Sequence, residues 1–197
     1  MIDQKRPYRM KRRAELEDQT RARITESAMV LHGTVGPART SMVAVAEHAG
    51  VTRSTLYRHF ADEEALFDAC SAHWRALNPL PDIASWASIA DPDERLRTAL
   101  AELYAFYART EGMLANLLRD APVVATVNQR LEAYREYVRA AAHSLARGRG
   151  VRGAVRRRTL AALGHALAFS TWHSLVREQG LSDQEAAELA RRLVACA

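Results

Sequence analysis

Cysteine is scarce in these 197 residues: Cys70 and Cys196 stand far apart and outside any paired spacing. Neither a disulfide framework nor a thiolate metal site is suggested by this, and a reducing compartment fits. Long apolar runs are missing as well. The longest uncharged stretch, Thr159 to Val176, is interrupted by His165, Ser170, Thr171, His173 and Ser174. A membrane span needs roughly 20 mostly apolar residues, so this stretch reads as a buried helix. The N-terminal segment carries charges throughout and lacks the apolar core of a secretory signal, which makes the expected location cytoplasmic. Nowhere does polarity alternate with the two-residue period of a strand.

Motifs of catalysis are absent too. Cys70 and His73 can be drawn as a thiol and its base, and His143, His165 and His173 as metal ligands. No nucleophile elbow, phosphate-cradling glycine loop, paired-cysteine motif or HExxH helix supports either drawing. Neither an enzyme nor a metal or other cofactor is expected.

What the chain does have is a formal charge of +5 and helical periodicity almost from end to end. Such a charge favours anionic partners, and its placement matters more than its sum. Residues 1–19 are basic without a sustained apolar face and read as a flexible arm. Its Lys5, Arg6, Arg9, Lys11, Arg12 and Arg13 are candidates to lie along phosphates or in a minor groove. The bland alternative is a solubilising tail.

Order is expected from about Thr20. Ile24, Ala28 and Leu31 recur at helical spacing until Gly33 and Gly36-Pro37 close the element. Thr40 or Ser41 caps a short helix bearing Met42, Val45, Ala46 and Ala49. Gly50 allows a sharp turn, and Thr52 caps a second short helix that points Leu56 and Phe60 inward. Asp62 opens a fourth helix with Leu66, Phe67 and Trp74. Three prolines between Asn78 and Pro92 then mark a linker with one loose turn around Trp86. Further helices are expected from Asp91, with Leu96, Leu100, Leu103 and Tyr107 on one face, then over 112–119, 122–147 and 152–179. A last one follows the capping box Ser182 to Glu185. The expected fold is all-α, with an arm (1–19), a three-helix helix-turn-helix domain (20–75) and a larger helical domain (76–197).

Two short helices across a tight turn are the means by which a helix-turn-helix sets its second helix in the major groove. Thr52, Arg53, Ser54, Thr55, Tyr57, Arg58 and His59 make the outer face of that second helix rich in hydroxyls and cations and almost free of acid. Such a face suits phosphates and base edges. A merely solvated helix face is the competing explanation.

The run Ala49-Gly50-Val51-Thr52-Arg53-Ser54-Thr55-Leu56-Tyr57-Arg58-His59-Phe60, with Thr40 before it and Glu64 to Leu66 after, closely resembles the signature of the tetracycline-repressor (TetR) family. Arg23-Ile24-Thr25-Glu26-Ser27-Ala28 is similar to the opening helix of that family. The resemblance implies a bacterial DNA-binding transcription regulator, of the kind that leaves a palindromic operator when a small molecule binds. It further implies that Thr40 and Tyr57, with Ser41 nearby, contact phosphates, that Arg53, Ser54 and Thr55 lie at base edges, and that His59 adds a phosphate contact. Arg58 is a further candidate at a position the motif leaves variable. The sequence departs from the family at Glu63, where a lysine commonly touches the DNA backbone.

The stretch Leu160 to Val176 and the amphipathic run through Leu193 resemble the last two helices through which such proteins form homodimers. Ala161, Ala162, Gly164, Ala166 and Ala168 suit close packing there. For an effector pocket the candidates are Trp86, Tyr104, Tyr107, Met113, Leu117, Tyr134, His165, Phe169, Trp172 and His173, which together suggest an apolar or aromatic effector. A DNA-compacting protein without a sensing role is the alternative within the same class, and activation in place of repression depends on operator placement.

Overall fold

In a computed structural model, the backbone is described from Lys5 to Ala197, and the side chains from Tyr8 onward except that of residue 9. Every element among the described residues is helical, in line with the all-α expectation. The head begins with α1 (Lys5–Thr34), α2 (Met42–His48), α3 (Arg53–His59) and α4 (Glu63–Leu77).

Each short helix of the head starts on a side-chain cap. Ser41 Oγ accepts from Ala44 N at 3.1 Å, Thr52 Oγ1 from Thr55 N at 3.2 Å, and Asp62 Oδ1 from Ala65 N at 2.8 Å. Gly50, at φ +63°, supplies the left-handed residue that turns α2 into α3. Ile24 and Ala28 of α1, Met42, Val45 and Ala46 of α2, Leu56 of α3, Phe60, and Leu66 and Cys70 of α4 then close one small core.

The second body comprises α5 (Ile83–Ala87), α6 (Pro92–Asp120), α7 (Ala125–Leu145), α8 (Gly153–Ala166), α9 (Phe169–His173) and α10 (Asp183–Ala195). Its core gathers Trp86, the inward face of α6 from Leu96 to Leu114, and apolar residues of α7 to α10. Asp91 caps α6 ahead of Pro92, and Ser182 with Glu185 forms the capping box that opens α10. A third, smaller cluster of Phe67, Ala121, Val127 and Leu131 lies where α4 meets α6 and α7. Thus α4 belongs to both bodies: Leu66 and Cys70 face the head while Phe67 faces the larger domain.

Three sequence expectations need correction. The segment expected as a flexible arm is helical from Lys5, continuous with α1. No residue from Met10 to Arg23 is buried, so this extension rests on helix-forming residues and pairs such as Arg13 Nε to Glu17 Oε1 at 3.2 Å, not on packing. The side chains of Arg6 and Arg9 lie outside the described residues.

The expected break near Gly112 does not occur, and α6 runs unbroken for 29 residues. Gly112 is there because α1 crosses α6 at that point: a Cβ on it would stand 2.9 Å from the Gly33 carbonyl oxygen.

The helix expected over 152–179 stops at Ala166, and Ala168 is extended (ψ 139°) before α9 begins. Nothing local breaks it. Two buried tyrosines of α6 capture the freed carbonyls, Tyr104 OH donating to Ala166 O at 2.9 Å and Tyr107 OH to Leu167 O at 2.6 Å. Thr171 Oγ1 donates to His165 O at 2.5 Å, and the chain leaves α9 through a wide turn in which Gln179 N donates to Ser174 O.

Candidate nucleic-acid interface and adjoining cavity

Because Leu56 is fully buried and Phe60 nearly so, the opposite side of α3 is turned outward. Arg53, Ser54, Tyr57 and Arg58 are exposed on it, and Thr55 is half-buried. The hydroxyls of Thr52, Ser54 and Thr55 form a cluster at the start of α3, with Thr52 Oγ1 lying 3.0 Å from Ser54 Oγ and 2.9 Å from Thr55 Oγ1. The Arg53 guanidinium leans toward the Tyr57 ring, 5.9 Å from its centroid. These groups form one polar face at and just beyond the N-terminus of α3, where the helix dipole also favours an anion.

Thr40 and Ser41 sit on the preceding loop and line one shallow groove together with Glu63. Thr40 is half-buried and donates to Gly36 O at 2.8 Å, while Ser41 is committed to capping α2. His59 is half-buried, with Nε2 enclosed and without a hydrogen-bond partner among the described residues. In this conformation that nitrogen does not face outward, which sets His59 apart from the other eight candidates.

Lys11, Arg12 and Arg13 are exposed on the α1 extension. Sequence reasoning missed Arg21. Its Nη1 donates to His59 O at 2.6 Å and its guanidinium stacks 4.2 Å from the Phe60 ring centroid, which holds the end of α3 against α1.

The head is fastened to the larger domain beside this face. Asn116 Nδ2 donates to His32 O at 3.0 Å, Arg119 Nη2 to Val35 O at 2.9 Å, and Ala38 N to Asp120 Oδ2 at 3.0 Å. Arg119 Nη1 also donates to Asn116 Oδ1 at 2.8 Å, so three α6 side chains act as one clasp on the α1–α2 connection. The Arg119 guanidinium holds the Asp120 carboxyl below the usual carboxylate range. Gly36, at φ +96°, has no room for a Cβ against Arg119 and Asp120.

Behind the clasp lies a cavity of about 220 Å³ bounded by α1, α4, α6 and α7. Phe67, Ser71, Trp74 and Asn78 recur along α4 at spacings of four, three and four, and turn one helix stripe into a wall. Of the ten pocket candidates, Met113, Leu117 and Tyr134 line this cavity. The others do not. Trp86, Tyr104, Tyr107 and Trp172 are fully buried in the larger core, Phe169 packs with them, His165 is exposed and His173 half-buried.

The large aromatics were taken up by packing: Trp86 Nε1 donates to Glu102, Trp172 Nε1 to Asp183, and the Tyr107 and Tyr134 hydroxyls meet at 2.7 Å. The wall residues His32, Phe67, Cys70, Trp74, Phe106 and Arg130 were not foreseen as a pocket. The α4 stripe was their one legible signal. Inside the cavity the His32 Nδ1 and Cys70 Sγ are 3.4 Å apart. Burial pulls the imidazole down to about 4 and pushes the thiol up to about 12, so this side of the wall is uncharged at neutral pH.

No group of three or more histidine, cysteine or carboxylate side chains able to hold a metal occurs among the described residues. No described helix is long and apolar enough to cross a membrane.

The family model for bacterial regulatory proteins of the tetR family matches residues 24–70, from the inward face of α1 to the middle of α4. No curated protein matched the chain by sequence. Among solved structures, a TetR-like transcriptional regulator from Rhodococcus sp. RHA1 is similar at TM-score 0.67 and 21% identity, with 89% of this chain and 93% of that one covered. AibR, solved in complex with isovaleryl coenzyme A and operator DNA, is similar at TM-score 0.60 and 21% identity over 87% and 96% of the two chains. A tetR-family transcriptional regulator from Streptomyces coelicolor matches at TM-score 0.58 and 19% identity over 90% and 78%.

Proposed function

We propose that this chain, whose residues 24–70 match the model for bacterial regulatory proteins of the tetR family, is a DNA-binding regulator of that kind, a homodimeric repressor that leaves a palindromic operator when a small molecule enters the α4 cavity. The two faces of α4 carry this reading. One closes the core behind the recognition helix and the other walls the cavity, so an occupant that moves α4 moves the reading head.

On the DNA side, Arg53, Ser54 and Thr55 read base edges from the start of α3. Tyr57, Thr40 and Ser41 meet phosphates, with Arg58 and the exposed Lys11, Arg12 and Arg13 adding charge. Thr52 contributes by capping α3 and ordering the hydroxyl cluster.

The two heads of a dimer must stand about 34 Å apart to enter successive major grooves, which makes the operator an approximate palindrome. The dimer face is the outer side of α8 and α10. Leu189 and Leu193 are exposed one turn apart on α10, and Gly164 on α8 opens onto empty space. An effector releases DNA only to the extent that it prefers the non-binding arrangement of α4.

The test is binding of purified protein to the DNA flanking its own gene and to random DNA, across a salt series with competitor. Tight binding to the flanking DNA that survives competitor supports the repressor reading. Equal and steeply salt-dependent binding to both DNAs overturns it in favour of a compacting protein.

A further inference from the structure

Among the described residues, three ionisable nitrogen bases line the α4 cavity, and one of them, His32, is held neutral. The other two are the cations Arg75 on α4 and Arg130 on α7, and no carboxylate is in the wall among the described residues. Arg75 has no ion-pair partner among those residues. Arg130 is turned to the α4 surface, where its Nε donates to Asp68 Oδ1 at 2.7 Å and its Nη2 lies 3.7 Å from Glu64 Oε1. Asp68 and Glu64 stand outside the cavity. The rest of the wall is apolar apart from Ser71, Asn78, the Cys70 thiol and the Tyr134 hydroxyl, the last of these already paired with Tyr107.

We infer that the cavity takes an apolar monocarboxylate, its hydrocarbon body against Phe67, Trp74, Phe106 and Leu131 and its carboxylate between Arg130 and Arg75. This deepens the effector reading above and rests on it only for the consequence to DNA. Two cations at the edge of a mostly apolar lining disfavour an amine and leave a neutral ligand without its best contact. Asp68 and Glu64 beside Arg130 disfavour a doubly charged phosphate more than a singly charged acid.

The volume equals that of about seven waters at roughly 30 Å³ each, which suits an acid of about eight carbons. Because Arg130 fastens α7 to α4 through Asp68, the ligand carboxylate competes with Asp68 for the same guanidinium. Occupation therefore loosens the tie between α7 and the helix that carries the head.

The experiment is calorimetric titration of the full chain, without DNA, by octanoate, octan-1-ol and octylamine. Octanoate is expected to bind with one site per chain and at least about tenfold more tightly than octan-1-ol, the scale of one charge-assisted hydrogen bond, with octylamine weakest. Arg130→Gln should reduce the preference of acid over alcohol, and the double variant Arg75→Gln/Arg130→Gln should abolish it. Asp68→Asn, an exposed and conservative change that removes the competitor, should tighten octanoate binding several-fold and leave octan-1-ol unchanged. Equal affinity for octanoate and octan-1-ol, no saturable binding of either, or a preference unchanged in the Arg75→Gln/Arg130→Gln variant would overturn the inference. The operator assay is a separate reading: its failure removes the repressor function and leaves the titration result standing.

Discussion

At the scale of single residues, the proposed function divides the outward side chains of α3 into two kinds of contact. Tyr57→Phe removes one exposed hydroxyl from the side proposed to face phosphates. It should weaken binding by about 0.5–1.5 kcal/mol on every DNA alike. Arg53→Ala removes the proposed base-edge contact, should cost about 1–3 kcal/mol on the operator, and should relax sequence preference at one position. Gel-shift competition on operator and random DNA separates the two, and a uniform loss for both variants would remove Arg53 from base reading.

Glu63 is exposed beside Thr40 and Ser41, where a phosphate is expected. Glu63→Lys should raise affinity for any DNA and steepen the salt dependence of log K by about 0.9, the slope of one added phosphate contact; an unchanged slope would mean that the backbone does not pass there. His32 carries a different prediction. Its folded-state pKa of about 4 lies below the ordinary 6.5, so acid charges the imidazole first in the unfolded chain. Stability is therefore intact above pH 6.5 and lost as pH falls toward 4, with about 2 kcal/mol gone between pH 7 and pH 5. Urea unfolding at the two pH values should show that loss, and His32→Gln should remove most of it.

At the scale of elements, the short helices of the head were legible because their signals are local. Ser41, Thr52 and Asp62 cap where their types and spacing lead one to expect, and Gly50 turns where a left-handed residue is needed. The larger domain departed from expectation wherever a distant element decided the outcome.

Gly112 reads as a break and is a crossing point. Gly112→Ala gains about 0.8–1.0 kcal/mol of helix propensity. Its Cβ, however, meets the Gly33 carbonyl at 2.9 Å and forces α1 from α6, and overpacking of that kind costs about 1–3 kcal/mol. The net expectation is a loss of about 1 kcal/mol by urea unfolding, with weaker operator binding because the α1–α6 seam also holds the clasp. A more stable variant would show that α1 gives way freely. The end of α8 at Ala166 is the converse case, with no breaker in its own sequence and two tyrosines of α6 waiting for its carbonyls.

At the scale of the whole molecule, the proposed function depends on two copies and on two bodies sharing one helix. Leu193 is 55% exposed on α10, so Leu193→Arg should leave the monomer folded. Sedimentation should show a shift from dimer to monomer, and operator affinity should fall by orders of magnitude, because one head alone reads only half a palindrome. A variant that stays dimeric would move the interface elsewhere.

Helical periodicity, caps and a short motif were enough to specify an all-helical chain with a reading head, since those signals act over one or two turns. Which aromatics would be core and which would line a cavity was not encoded at that range. Trp86, Tyr104, Tyr107 and Trp172 found hydrogen-bond partners and neighbours on other helices and were buried, while Phe67 and Trp74, spaced like any helix stripe, came to face the cavity. The same holds for Arg130, which reads as one arginine among many until α7 is laid against α4 and brings it to Asp68. Burial and electrostatic pairing between helices depend on distances across the fold, and only the packed chain sets those distances.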